Sequence, residues 1–371
     1  MKKIILIIMA LLMISVVMAQ QEPIVTNISY TNTAGFDFSS YGEVSCEGIS
    51  STEMWCHSAG DVFIFNKDTS EITAPYTVSS YDPSDVCKYY SGDGMLYCMG
   101  RGATPNTKVD PSDGTETALT NFTGDYGASY DCSLRPQTDE IYCWGGAGSG
   151  SRIIRKYDIS EDSVSEITET TDYDGGTNQT DYIGCDFVSS DVLVCYGGYY
   201  GGLTPSGLME YSISGNSTFF MDTGQIFAGG SCNAIEGILY CTYGADDDAG
   251  TPLDGIFYYD YITDTFGTLT ATLPQGVVLY GDAGVIGTTF YNLGGYVGVG
   301  YDESNDIFEV AFDVSVPVSV PTGLTPYNAT HSTSSIVGVV IDFGVEFGIQ
   351  LIAFAGLVAL VGLAVWVKKL I

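Results

Sequence analysis

The stretch that decides the fold is Cys132, followed by Ile141-Tyr142-Cys143-Trp144-Gly145-Gly146, then Tyr157-Asp158, then the apolar run Val164 to Ile167. The residues before and across Cys143 are β-formers. A glycine doublet follows them, and glycine permits the positive φ that a tight strand exit often needs. A third strand ends on an aromatic residue and an acid, and a fourth apolar stretch closes the unit. The same order recurs. Met54-Trp55-Cys56, Met95-Leu96-Tyr97-Cys98, Val192-Leu193-Val194-Cys195 and Ile238-Leu239-Tyr240-Cys241 repeat the second strand. Gly100 and Gly102, Gly197 and Gly198, and Gly244 repeat the turn. Tyr259-Asp260 repeats the third strand's end, with Phe65-Asn66, Val109-Asp110 and Tyr211-Ser212 as looser copies.

The ten cysteines carry the period. They fall into five close pairs, Cys46 and Cys56, Cys87 and Cys98, Cys132 and Cys143, Cys185 and Cys195, Cys232 and Cys241, and their first members lie 41, 45, 53 and 47 residues apart. A repeat of 40 to 50 residues is in the range of propeller blades. One local spacing in five copies makes pairing within each repeat the simplest framework, with five pairs of buried thiols as the alternative. Neither CxxC spacing nor clustered histidines support a metal role for these cysteines. A sixth copy, without cysteines, runs through Thr288-Thr289-Phe290-Tyr291, Leu293-Gly294-Gly295, Tyr301-Asp302 and Ile307-Phe308. Ala283 and Asn292 stand in it where the cysteines would be.

A double glycine, a tyrosine-aspartate and a bulky apolar residue at this period resemble the kelch repeat over Val25 to Asp313. The resemblance implies an all-β, six-bladed or at most seven-bladed β-propeller. It also implies that the segment Val25 to Val44 adds a strand to the last blade. The copper site of the kelch-containing galactose oxidases needs histidines that this chain lacks.

Both ends of the chain carry membrane-directed signals. Lys2 and Lys3 precede an apolar stretch from Ile4 to Met18, with Val17 and Ala19 as small cleavage-site residues, so residues 1–19 read as a signal peptide. Phe347 to Val367 is free of charge and long enough to cross a bilayer, and Lys368 and Lys369 follow at once. The expected organisation is a propeller at 20–313, a proline-containing stalk at 314–335, a transmembrane helix at 336–367 and a cytoplasmic tail at 368–371. That makes a single-pass type I protein on a cell surface or viral envelope. Small residues at Gly344, Gly348, Ala355 and Ala359 are spaced for close helix contact, which makes a homo-oligomer an expected partner state.

Forty-five acids against 12 bases give a net charge of −33. That field repels phosphate backbones and excludes nucleic acid as a natural partner. Function in a propeller sits in the loops at its rims. The loops between strands two and three share a rim with the blade-to-blade connections, and they hold Tyr199, Tyr200, Arg101 and Arg152 as candidate binding residues. Asp246, Asp247 and Asp248 are the candidate metal ligands, and the ion they would hold is calcium; otherwise no cofactor is expected. Only His57 and His331 exist, so nucleophilic catalysis with a histidine base has little to work with. Asn27, Asn121, Asn178, Asn216 and Asn328 are glycosylation sequons. The expectation is a non-enzymatic surface attachment protein whose rim recognises a glycan or a protein. The alternative is a tethered carbohydrate-active enzyme using rim carboxylates.

Overall fold

The second strand of every repeat is apolar on both faces, and in the structure it is buried on both. In the computed structural model, Glu140–Gly145 is buried from Ile141 to Gly145, and Met95–Met99, Ile238–Thr242 and Thr289–Leu293 are buried after their first residue. A strand with a sheet packed on each side reads as a continuous apolar run, because both alternating sets of side chains leave water. Outer strands differ: Glu71–Thr73 exposes its two ends and Ser217–Asp222 is only partly buried. The structure describes residues 22–32, 44–58, 61–78, 86–100, 104–122, 130–145, 153–169, 181–199, 207–224, 227, 229–242, 244, 253–279, 282–293, 296–297, 302–303 and 306–312.

Six antiparallel blades form, the first five each built on one repeat and the sixth completed by a strand from the other end of the described chain. Blade 1 runs Ser45–Gly48, Glu53–Ser58, Asp61–Asn66, Glu71–Thr73, and blade 2 runs Val86–Tyr90, Met95–Met99, Thr107–Val109, Glu116–Ala118. Blade 3 runs Tyr130–Leu134, Glu140–Gly145, Ile153–Asp158, Ser163–Glu169. Blade 4 runs Asp181–Phe187, Val192–Tyr199, Gly207–Ser212, Ser217–Asp222, and blade 5 runs Ser231–Ile235, Ile238–Thr242, Leu253–Asp260, Thr265–Leu279. The first strands of consecutive blades are neighbours all the way round, blade 6 against blade 1 included, so the ring closes.

Blade 6 departs from the sequence expectation. Asp282–Ile286 and Thr289–Leu293 are its first two strands, but the third is Ile307–Ala311, which pairs directly with Thr289–Leu293. The fourth is Ile24–Asn27 from the other end of the described chain, antiparallel to Ile307–Ala311. The expected third strand at Tyr301-Asp302 is instead a short hairpin: Asp302–Glu303 pairs with Tyr296–Val297, which extends blade 5 through Val277 and Leu279. The reason is edge satisfaction. Ile307–Ala311 leaves one row of backbone groups unpaired, and a strand from Val25 to Val44, where one was expected, covers that row. The same segment continues as Thr31–Asn32 alongside Glu71–Ile72 of blade 1, so it latches both sides of the closing seam.

Alternation along each second strand assigns its side chains to two seams. Met54 and Cys56 pack toward blade 6, while Trp55 between them packs toward blade 2. Ile141 and Cys143 face blade 2, while Tyr142 and Trp144 face blade 4. Each of the six seams carries one apolar cluster in this way. At the closing seam two glycines have no room for a side chain. A Cβ on Gly284 would lie 2.0 Å from Met54 Sδ, and one on Gly48 would lie 2.1 Å from the Val285 carbonyl oxygen.

All five cysteine pairs are disulfide-bonded, each joining the first two strands of one blade. Partners stand directly opposite in the register, and every cysteine is at most 4% exposed. Ala283 and Asn292 face each other in blade 6 in the same relation. Among the described residues no helix is long and apolar enough to cross a membrane. The expected signal peptide, the expected stalk and the expected membrane helix with its tail all lie outside the described residues.

Candidate binding rim

Antiparallel order puts the exits of the second strands and the blade-to-blade crossings on one rim. Gly145 (φ 96°) and Gly197 (φ 98°) occupy the left-handed region there. A Cβ on Gly197 would also meet the Phe227 carbonyl oxygen at 2.7 Å, so the glycine expected from the sequence is required twice over.

A small recess opens on this rim beside blade 3. Phe122, Tyr130, Cys143, Trp144, Gly145 and Arg155 line it, and it has space for about one water molecule. Tyr130 opens the inner strand opposite Gly145, and its hydroxyl donates to the Met99 carbonyl of blade 2, which ties the recess across the seam. Trp144 is buried at the strand exit, and its indole N–H has no hydrogen-bond partner among the described residues. Arg155 stands opposite Cys143 and is 4% exposed. The recess therefore sets an indole donor beside aromatic side chains and Arg155 in a space that a single acceptor atom fills.

Tyr199 ends the strand Val192–Tyr199 on the same rim, opposite Asp181. Tyr200, Arg101, Arg152, Asp246, Asp247 and Asp248 lie outside the described residues, as do Asn178 and Asn328. Asn27, Asn121 and Asn216 are exposed. Among the described residues no group of three or more His, Cys, Asp or Glu side chains is placed to hold a metal ion. His57 is a fully buried strand residue against the Trp55 ring, 5.2 Å between centroids.

Acids that flank the first cysteine of three repeats have a role the sequence reading missed. Asp131 accepts the Cys185 amide of the next blade at 2.6 Å, and Asp186 accepts the Ala234 amide of the blade after that at 2.7 Å. Asp186 also accepts the Ser133 hydroxyl. Glu47 accepts the Tyr89 amide and pairs with Lys88 Nζ at 3.6 Å. Asn233 continues the pattern by donating to the Ala283 carbonyl at 2.9 Å. Inner strands are sheet edges around the axis, and these side chains satisfy the edge from the preceding blade.

The recurrent tyrosine-aspartate is explained on the opposite rim. Asp158 accepts Ser160 Oγ at 2.8 Å and the Glu161 amide at 3.1 Å, and Asp260 accepts the amides of Ile262 and Thr263 at 2.9 and 3.1 Å. Each acid thus closes the turn between strands three and four. The tyrosine hydroxyl then donates to the residue five positions on: Tyr157 to Asp162 at 2.7 Å, Tyr211 to Asn216 at 3.1 Å, Tyr259 to Asp264 at 3.0 Å. Those acceptors have φ of 45°, 43° and 51°, a conformation that Asp and Asn tolerate better than most residues. On the same rim, burial opposes ionisation of Glu140, but hydrogen bonds from Lys156 Nζ at 2.8 Å and Arg135 at 2.7 Å outweigh it. The Glu140 carboxyl is held below its ordinary value.

No family model and no curated protein matches the chain. Among solved structures, one described as the structure of YjhT matches with a TM-score of 0.57 at 12% identity, covering 74% of this chain and 96% of that one. Likeness at that identity speaks to architecture, and the architecture it supports is the β-propeller.

Proposed function

We propose that the chain is a membrane-anchored surface recognition protein whose propeller binds a glycan or a protein partner at the rim of its second-strand exits. The observation that supports this most is the blade 3 recess, where the Trp144 indole N–H lies at the rim beside Phe122, Tyr130 and Arg155. A recess of this size takes one acceptor atom of a sugar or peptide group, with the rest of the ligand lying on the rim loops. In this reading the repeats are kelch-like, residues 1–19 direct export, the C-terminal apolar stretch anchors the head and clusters copies of it, and calcium bound by Asp246, Asp247 and Asp248 is an accessory. The tethered-enzyme alternative has less behind it, because Glu47, Asp131 and Asp186 are already engaged with backbone amides.

The test is a glycan-array and cell-binding screen of the secreted fragment from Gln20 to Thr325, with and without calcium, beside an Arg155→Met and a Trp144→Phe variant. Saturable binding that either variant weakens at least tenfold supports the reading. Absence of binding to every glycan and cell type would sink it.

A further inference from the structure

Residues 22–32 run across three blades. The strand Ile24–Asn27 completes blade 6 against Ile307–Ala311, and the Ile28 amide adds a bond to the Ile307 carbonyl at 2.9 Å. Further on, Thr31–Asn32 pairs with Glu71–Ile72 of blade 1, and the Thr31 amide donates to the Ser70 carbonyl at 2.8 Å. Val25 packs on the cluster between blades 5 and 6, while Ile28 and Tyr30 pack on the cluster between blades 6 and 1. Blade 5 itself is reached by Glu22. Its Oε2 accepts the Thr270 and Ala271 amides at 2.9 and 3.0 Å, and its Oε1 accepts the Thr270 amide at 3.0 Å.

Both amides sit where the outer strand of blade 5 is irregular. Gly255 pairs with Thr272 and Phe257 with Thr268, so four steps along the outer strand match two along its neighbour. Such a bulge takes backbone groups out of the ladder, and a carboxylate on two successive amides supplies charge-assisted acceptors in its place. The rest of the segment is held less firmly than the blades it joins. Ile24 is 66% exposed, and within residues 22–32 only Pro23 is buried, so the firm foothold lies at the Glu22 end. By contrast, the other five blades are stapled by disulfides, and blade 6 has none. Local opening starts where few apolar contacts are lost. We propose that residues 22–32 are a clasp that releases as one unit ahead of global unfolding and uncovers the Ile307–Ala311 edge with the two seams of blade 6. The Glu22 carboxylate sets how often the clasp opens.

Removing the carboxylate takes its acceptors from two amides, and in a clasp that opens as a unit the effect spreads along its whole length. Amide hydrogen exchange of the full-length protein reads this directly. Glu22→Ala should speed exchange by one common factor of about tenfold or more at Ile24–Asn27, Thr31 and Ile307–Ala311. Exchange in Met95–Met99, Glu140–Gly145 and Val192–Tyr199 of blades 2 to 4 should change by less than about twofold. Glu22→Gln keeps one acceptor oxygen and should give the same pattern with a smaller factor. Acceleration confined to Thr270 and Ala271, acceleration shared equally by all six blades, or no acceleration would each overturn the proposal. If E22A does not fold, the same outcomes in E22Q decide it.

Discussion

Blade 6 should accept a sixth disulfide. Ala283 and Asn292 face each other across the first two strands and lie nine residues apart, the separation of Cys232 and Cys241 in blade 5. Closing a loop of that length is worth about 2.6 kcal/mol in the chain-entropy model. The substitution also removes a contact, because Asn292 Oδ1 accepts the Thr242 hydroxyl at 2.7 Å in a fully buried setting. Orphaning that hydroxyl costs on the order of 1 kcal/mol. Some of this is offset, since the Asn292 amide nitrogen is buried with no hydrogen-bond partner among the described residues and disappears with it. The double variant Ala283→Cys, Asn292→Cys should gain about 1.5 kcal/mol over the wild type, and adding Thr242→Val should bring the gain to about 2.5 kcal/mol. At about 2 °C per kcal/mol for a domain of this size, the expected rises in melting temperature are roughly 3 °C and 5 °C. Alkylation and mass spectrometry on protein from an oxidising host should find no free thiol. Free thiols at both new positions would refute the register claimed for blade 6. A bridge that forms while the triple variant melts below the wild type would refute the energetic reasoning instead.

Gly284→Ala forces a methyl group to within 2.0 Å of Met54 Sδ and should cost about 1–3 kcal/mol in chemical denaturation, because the closing seam must reopen to take it. Asp162 accepts both the Tyr157 hydroxyl and the Thr120 amide at φ 45°, so Asp162→Gly should cost about 2 kcal/mol and Asp162→Ala about 1 kcal/mol more. Gly114 holds the equivalent turn of blade 2 at φ 76° and provides the precedent for that order; equal losses would argue against it. The lowered folded pKa of Glu140 means that its contribution is present above the unfolded pKa and fades as pH falls through the folded one. Glu140→Gln should therefore lower the melting temperature at pH 7 and leave it unchanged near pH 2, and an offset that persists in acid would contradict the assignment.

Much of the architecture was legible because it is written at short range. The bonded cysteines are 9 to 11 residues apart, and the strands they join are consecutive, so one spacing read five times fixes both the repeat and the pairing within it. The cysteine-free copy was legible for the same reason: Ala283 and Asn292 keep the register when the sulfurs are gone. The aromatic-acid signature was visible, but its meaning was not. Asp158 and Asp260 draw attention as acids, and only the turn geometry shows them accepting amides two and three residues on.

The remainder joins residues far apart in sequence, and nothing local encodes the match. A strand from Val25 to Val44 was expected in the last blade from propeller closure, but that blade's third strand was expected at Tyr301-Asp302. Ile307–Ala311 and the segment around Tyr301-Asp302 are both short β-compatible runs, and only the open edge beside Thr289–Leu293 selects the first. The recess of Trp144 and Arg155 appears only when blade 3 is packed against Phe122. Asp131, Asp186 and Glu210 look like any of the 45 acids until the neighbouring blade arrives with an amide or a phenol about 50 residues away. The sequence by itself determined what each blade is and how it is stapled, since those contacts lie within one repeat. Which side chains meet between blades, and so where the recess and the buried acid lie, was decided by the closing of the ring.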